Sequence, residues 1–226
     1  MAGRAAQAES LASRRHPPRR RWHRLCLESG VKFFATFALL ILTIATVRAS
    51  DLAAQVREEI NLARTAPRQY AQIVAARSAG QRRIGSRGAV EEAVRFLQKV
   101  SPLPALARCP GLDGSALLHV LDQGPAGARG HRGTDGSSPW KRMARFGQWS
   151  GRAAENIAYG QRDARDIVVA LIVDDGVRDR GHRQNIFGRE FRLAGIACGP
   201  HAAYGRMCVM DFAAAFTEDD GKVAVK

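Results

Sequence analysis

The feature that most constrains the fold of this chain is an uncharged segment near its N-terminus. The fifteen residues Phe33 to Val47 carry no charge, and they follow the basic stretch Arg19 to Arg24. A basic region, a short apolar run and a small residue before the cut are typical of an export signal. We therefore interpret residues 1–49 as a signal peptide that is cleaved after Ala49, which leaves Ser50 as the first residue of the mature chain.

An uncleaved membrane anchor is the alternative interpretation of the same segment. A helix needs about 20 apolar residues to cross a bilayer, and residues 31–47 approach that length if Lys32 extends its amine to the membrane surface. The first interpretation predicts a secreted, periplasmic or extracellular protein. The second predicts a protein held at the membrane by residues 31–47.

The positive charge of the chain is concentrated in this leader. Nine basic and two acidic residues lie in residues 1–49, so half of the formal net charge of +14 falls in about a fifth of the sequence. Binding to nucleic acid usually requires a basic surface interleaved with aromatic residues, and no such pattern follows the leader. The sequence therefore does not predict a nucleic-acid partner.

Three cysteines remain after the leader, namely Cys109, Cys198 and Cys208. An exported chain meets oxidising conditions, under which disulfides persist. Cys198 ends one strand-like run and Cys208 begins another, with Pro200 and Gly205 between them, so a hairpin would place the two thiols opposite each other. The sequence predicts a Cys198–Cys208 disulfide and leaves Cys109 unpaired, although buried free thiols are the alternative.

The mature chain shows no internal repeat, and we predict one domain over residues 50–216 with a flexible tail at 217–226. Apolar residues recur at helical spacing over 51–64, 89–100, 112–121 and 163–174, whereas strand-like runs occupy 156–159, 191–197 and 208–212. Helices come first and a hairpin comes last. This order predicts an α+β fold in which helices pack on a sheet.

Polar residues at the edges of these elements are the candidates for chemistry. The signatures of phosphate-binding loops, nucleophile elbows, dinucleotide-binding turns and His-Glu-x-x-His zinc enzymes are all absent from the sequence. What remains is a spaced set of histidines and acids. Its members are His131, Glu155, Asp174, Asp175 and His182.

Four segments give the chain a resemblance to a known family. They are Asp135 to Trp140, the Glu-Asn-Ile-Ala of 155–158, the Gly-His-Arg-Gln-Asn-Ile of 181–186, and Gly199 to His201 together with Cys208 to Ala213. In this order, behind an export signal, they resemble a bacterial SCP-like member of the CAP superfamily, which is named for cysteine-rich secretory proteins, antigen 5 and pathogenesis-related 1 proteins. The resemblance implies an α-β-α sandwich with a central antiparallel sheet and an open cleft.

The resemblance also implies that two histidines and two acids line this cleft. His131 and His182 match the two histidines, and Glu155 matches the glutamate of the Glu-Asn motif. The second acid of the family stands three residues after a tryptophan. Leu171 replaces that tryptophan here, so Asp174 is the match, with Asp175 as the second choice.

Three uses of these residues remain open from the sequence. His131 and His182 would be the ligands of a weakly held Zn²⁺, with Glu155 or Asp174 orienting a ligand or a bound water. The same carboxylates are the candidate catalytic groups of an acid–base system, although no Ser, Cys or Thr nucleophile is marked beside them. The third use is a buried polar network that only ties loops to the sheet.

Two functions follow from these uses. The first is an exported, non-enzymatic module that binds a lipid or a cell-envelope polymer, as the resemblance suggests. The alternative is a metal-assisted hydrolase acting on peptide or ester bonds. The open site with two histidines and the lack of a nucleophile favour the first.

Other polar and aromatic residues receive simpler interpretations. His119 is predicted to be a packed or partly exposed helical residue, and His201 a solvated residue in the hairpin turn. Trp140 and Trp149 are expected to pack in the core, with contacts to the cleft as the alternative. The arginines are expected to form a solvated face or a basic rim. They are Arg142, Arg145, Arg152, Arg162 and Arg165.

Overall fold

The computed structural model describes residues 52–79 and 84–219, which all belong to one compact unit. The predicted leader, its cleavage site and the anchor at 31–47 lie outside the described residues and stay predictions. No helix in the described part of the chain is long and apolar enough to span a bilayer.

Helices form the outer layers of the domain. In chain order they are α1 (52–65), α2 (Pro67–Ala79), α3 (Arg87–Lys99), α4 (Pro110–Ala126), α5 (Pro139–Met143), α6 (Ala164–Val173) and α7 (Gly181–Ile186). Local sequence sets several helix starts. The side chains of Ser86, Ser138 and Asp163 each accept a hydrogen bond from a backbone N–H in the first turn of α3, α5 and α6.

The strands form a mixed sheet with the order β1-β3-β4-β2. They are β1 (Ala107–Arg108), β2 (Gly147–Tyr159), β3 (Leu193–His201) and β4 (Gly205–Glu218). The last three strands pair antiparallel, as expected, and β1 adds a short parallel edge to β3. Helices pack on both faces of the sheet, so the predicted α+β sandwich is confirmed.

One close approach sets the position of α4 on the sheet. A side chain at Gly195 in β3 would collide with the backbone of α4, because a Cβ built there lies 2.0 Å from the carbonyl carbon of Leu112. Without that side chain, α4 lies directly on β3 and β4. Ser115 and His119 of α4 are thereby buried against the sheet, and His119 is packed as expected.

The hairpin of β3 and β4 carries the predicted disulfide. Cys198 and Cys208 are directly opposite in the strand register and are joined to each other. Cys109 is free, as predicted, and it is also buried, which raises the pKa of its thiol to about 11. An inert buried thiol is the consequence.

Two strands are longer than their patterns indicate. β2 begins at Gly147 rather than at the predicted residue 156. Its first half is exposed and pairs with the end of β4 through cross-strand hydrogen bonds. The sequence of this exposed half shows no apolar alternation from which a strand could be predicted. β4 continues to Glu218, two residues beyond the predicted end of the domain at 216. Residues 220–226 of the predicted tail lie outside the described part.

Candidate functional site

His131 and Glu155 form the first of two histidine–carboxylate pairs. The Nδ1 atom of His131, in the loop after α4, lies 2.8 Å from Oε1 of Glu155 in β2. The Glu155 side chain is 1% exposed, whereas the imidazole is 53% exposed. An ionised carboxylate only accepts hydrogen bonds, so Nδ1 carries the proton and Nε2 keeps a lone pair for a ligand.

Arg142 holds this first pair in place. Its Nη2 donates to Oε2 of Glu155 at 2.6 Å, and both side chains are almost completely buried. Its Nη1 donates to the carbonyl oxygens of His131 and Ser137, at 3.1 Å and 3.2 Å. One guanidinium therefore neutralises Glu155 and also fixes the loop that carries His131. The expectation that Arg142 belongs to a solvated face or basic rim is wrong.

Asp174 and His182 form the second pair. Asp174 ends α6 in the left-handed conformation, at φ 53°, which aspartate tolerates better than most residues. This conformation turns its carboxylate towards the start of α7. Oδ1 lies 2.7 Å from Nδ1 of His182, and Oδ2 accepts from the His182 backbone N–H at 2.9 Å. His182 is 25% exposed, and by the same reasoning its Nε2 keeps a lone pair.

Ion pairs and amide hydrogen bonds hold the His182 side of the site. Arg180 and Arg183 both bind Glu92 of α3, at 2.7 Å and 2.8 Å. The side chain of Asn156 in β2 donates to the carbonyl oxygen of His182 at 3.0 Å and accepts from Asn185 at 2.9 Å. These contacts fix α7 against both α3 and the sheet.

The two pairs lie on opposite faces of β2. Successive side chains of a strand point to opposite faces, so Glu155 faces α4 and α5 while Asn156 faces α7. Because β2 is at the edge of the sheet, the pairs flank that edge. Among the described residues, no hydrogen bond or ion pair joins one pair directly to the other. Glu155 and Asn156 provide the connection.

A second buried acid lies behind the first pair. Asp211 of β4 is opposite Glu155 in the strand register and is completely buried. Burial, together with the negative charge of Glu155, raises the pKa of Asp211 well above its usual range. Burial also lowers the pKa of His119, which lies on the same face of the sheet and hydrogen-bonds to the Gly130 carbonyl oxygen.

The structure separates the remaining predicted residues from the two pairs. Asp175 does not join His182; its carboxylate accepts from the backbone and hydroxyl of Ser86 at the start of α3. His201 is buried rather than solvated, because both of its ring nitrogens hydrogen-bond to loop backbone. Trp140 and Trp149 are exposed and pack on each other at 6.0 Å, not in the core.

Sequence reasoning missed Arg142, Asp211 and Asn185. Arg142 is one of several arginines in its region, and no local pattern distinguishes it from the others. Asp211 did leave a signal, since it is the single charge in the otherwise uncharged run 207–217. A lone acid in a buried strand indicates a polar partner on a neighbouring element.

The donor set suits at most a weakly bound metal ion. In the described residues no group of three or more His, Cys, Asp or Glu side chains is arranged to hold a metal. His131 and His182 each offer one free Nε2, which is fewer than the three protein ligands usual in a catalytic zinc site. Neither imidazole is hydrogen-bonded to a Ser, Thr or Cys side chain within 52–79 and 84–219.

Comparisons with known proteins place the chain by sequence. The profile described as "CAP: Cysteine-rich secretory protein family" matches residues 57–212. No curated protein matches the chain.

Three solved structures are similar in fold. An outer surface protein of Borrelia burgdorferi is 15% identical, with a TM-score of 0.43, over 58% of this chain and 88% of that one. An extracellular SCP-domain protein of Bacillus anthracis is 23% identical, with a TM-score of 0.39, over 49% and 34%. A cysteine-rich secretory protein of Staphylococcus aureus is 11% identical, with a TM-score of 0.36, over 56% and 37%. The chain spans about a third of the length of the last two proteins.

Proposed function

The chain belongs to the CAP, or cysteine-rich secretory protein, family, and from that premise we propose that it is an exported binding module. Its two histidine–carboxylate pairs hold a divalent ion such as Zn²⁺ weakly. One observation carries this proposal. Both imidazoles place Nδ1 on a buried carboxylate and keep Nε2 available, which is the orientation found for metal-binding histidines.

The same geometry favours binding over catalysis. A general base needs a lone pair that is free to take a proton from water or substrate. Both oxygens of Glu155 already accept hydrogen bonds, from His131 and Arg142, and both oxygens of Asp174 accept from His182. These carboxylates orient the histidines. The alternative function, a metal-assisted hydrolase, would need an imidazole Nε2 as its base, and in this geometry Nε2 is the atom that binds the metal.

Export is supported by covalent chemistry inside the domain. The Cys198–Cys208 disulfide requires an oxidising environment, as found outside the cell or in the periplasm. The basic and apolar leader at residues 1–49 is consistent with that destination.

A zinc titration of the mature domain tests the proposal. We expect binding at pH 7 that weakens steeply towards pH 5, because protons compete with the metal for imidazole. His131→Ala and His182→Ala should abolish binding. Glu155→Gln and Asp174→Asn should weaken it by about 10- to 100-fold, as outer-shell changes do.

His201→Gln is the matched control for the histidine variants. Both ring nitrogens of His201 are already hydrogen-bonded to backbone, so this variant should bind zinc as the unaltered domain does. Calorimetry reports the affinity, and unfolding curves verify that each variant is folded. A folded domain that takes up no zinc at pH 7 would contradict the metal part of the proposal.

We further propose that the domain binds a lipid rather than a polymer, at a place separate from the two histidine–carboxylate pairs. The supporting observation is a groove of about 470 Å³ between α1, α4 and β3. Its lining is mainly apolar, from Ala53, Ala54, Leu117 and Ile196, and its charged members are Arg57 and the Arg108–Asp113 ion pair. An apolar groove that contains an arginine without an acidic partner among the lining residues suits an acyl chain that ends in a carboxylate.

Two neighbouring leucines of α4 provide a matched test of lipid binding. Both side chains are exposed, at 45% and 62%, but Leu117 lines the groove and Leu121, one turn later, does not. In a displacement assay with a fluorescent fatty acid, Leu117→Gln should weaken binding by about tenfold, since a leucine side chain that the ligand covers contributes roughly 1.5 kcal/mol. Leu121→Gln should leave binding unchanged. Equal effects of the two variants would contradict this site.

A further inference from the structure

Asp211 is a completely buried carboxyl group that lacks a cation of its own. Glu155 is its cross-strand neighbour on the same face of the sheet, and the Ser115 hydroxyl of α4 lies beside it. Arg142, whose positive charge acts on Asp211, is itself bound to Glu155. Like charges directly opposite in a sheet are destabilising, and the cost is greater in the interior, where water does not screen them.

Among the unpartnered buried atoms around Asp211, there is one hydrogen-bond donor fewer than the acceptors need. Within the described residues, the buried atoms here that lack a partner are both oxygens of Asp211, Nδ1 of His119, the Ser115 hydroxyl and Nε of Arg142. His119 uses its other ring nitrogen, Nε2, to donate to the Gly130 carbonyl oxygen, so its Nδ1 is an acceptor. Acceptors therefore outnumber donors, and a proton on Asp211 adds one donor and removes one charge.

We propose that Asp211 is a positioning residue of the site, held as a neutral carboxylic acid that donates its O–H to the Glu155 carboxylate. Glu155 is then the one anion that Arg142 neutralises, and its carboxylate stays fixed as the acceptor for Nδ1 of His131. Asp211 acts only through Glu155 and contacts no ligand. The inference concerns the protein without metal or lipid, so it stands or falls independently of the proposed function.

The groups that face Asp211 from each neighbouring element agree with this assignment. Glu155 approaches from β2, Ser115 and His119 from α4, and Arg142 from α5, while His131 lies beyond Glu155. Burial and the charge of Glu155 raise the pKa of Asp211, and Arg142 and Ser115 oppose that change less strongly. The raised pKa of Asp211 therefore agrees with the shortage of hydrogen-bond donors around it.

Carbon-13 NMR of the unaltered, aspartate-labelled domain measures the protonation state of Asp211 directly. The carboxyl shift that disappears in Asp211→Asn should keep the value of a carboxylic acid from pH 5 to pH 8. The value of an ionised carboxylate at pH 7 would overturn the proposal. This measurement does not depend on any destabilised variant.

Stability as a function of pH gives a second test, with Asp211→Asn as the variant. The unfolded chain releases the Asp211 proton above its ordinary pKa of about 3.9, whereas the folded chain retains it. The unaltered domain should therefore lose stability relative to Asp211→Asn as the pH rises from 4. A relative gain over the same range would show that the folded state favours the anion, which overturns the proposal.

The positioning role is tested by the tautomer of His131, observed by nitrogen-15 NMR at a pH where the ring is neutral. The unaltered domain and Asp211→Asn, whose amide also donates, should show Nδ1–H. Asp211→Ala should show a reduced fraction of Nδ1–H. Val209→Ala, which removes a buried side chain from the same face of β4, is the control and should not change the tautomer. Identical tautomers in both alanine variants would overturn the positioning role.

Discussion

The two histidine–carboxylate pairs have the same chemistry but different supports. His131 reaches a carboxylate 24 residues away in sequence, and Arg142, which holds that carboxylate, is 2% exposed. His182 reaches a carboxylate only eight residues away, at the end of the preceding helix. The acid that anchors its helix, Glu92, is 40% exposed. One pair depends on buried charges brought together by the whole fold, and the other is largely a local turn.

This difference shows where the site and the stability of the domain are coupled. Burying an ion pair costs desolvation, and losing one partner leaves the other charge without compensation in the interior. The His131 pair therefore cannot be altered without affecting the core. The Asp174 carboxylate of the His182 pair is buried too, but Glu92, which anchors α7, is 40% exposed, and ion pairs of so exposed a group contribute little.

The largest expected effect comes from removing the buried guanidinium. Arg142→Met keeps the apolar stem but leaves Glu155 unpaired, so we expect the free energy of unfolding to fall by about 3 to 5 kcal/mol. Urea unfolding followed by fluorescence and circular dichroism measures this change.

Arg145→Met is the control for that substitution. Arg145 lies three residues further along the chain, just after α5, and its ion pair with Asp135 is about half exposed. Its loss should cost about 0 to 1 kcal/mol. Equal losses in the free energy of unfolding for Arg142→Met and Arg145→Met would show that the buried ion pair beside His131 contributes no more to stability than a surface ion pair does.

The local and non-local pairs also differ in how far the sequence predicted them. The strand register that joins Cys198 and Cys208 follows from one short hairpin, and turn residues mark it. Asp174 and His182 are close in sequence, so the family motif is enough to pair them. In both cases the chain has little freedom to place the residues elsewhere.

Contacts between distant elements were not predictable in the same way. Arg142 and Glu155 meet because α5 packs beside β2, and nothing in the residues around Arg142 indicates that it faces inward. His201 and the two tryptophans were assigned wrongly for the same reason, since their burial depends on which element covers them. Periodicity predicts which face is apolar, but not which partner lies against it.

The ion pairs of Glu92 with Arg180 and Arg183 hold the His182 side of the site. Their contribution to stability should be small and should vary with pH and salt. Hydrogen bonds from Arg180 and Arg183 lower the pKa of Glu92 to about 2, from an ordinary value of 4.5. A depressed carboxyl pKa adds stability above the ordinary value, and this stability is lost as the pH falls towards 2. Because Glu92 is well exposed, solvent screening reduces the contribution.

Glu92→Gln is therefore expected to have the smallest effect, about 1 kcal/mol or less at pH 7 and low salt. Its cost should shrink in 0.5 M NaCl, where the screening length falls to about 4 Å, and should also shrink as the pH is lowered from 4.5 towards 2. Unfolding of both proteins across these conditions measures the difference, with Glu91→Gln on the exposed face of α3 as the control for a lost surface charge. The comparison would fail if Glu92→Gln lowered the free energy of unfolding as much as Arg142→Met does and if this loss persisted in 0.5 M NaCl. Ion pairs that resist salt screening behave as buried ones, so the Glu92 ion pairs would then be equivalent to the buried Arg142–Glu155 pair.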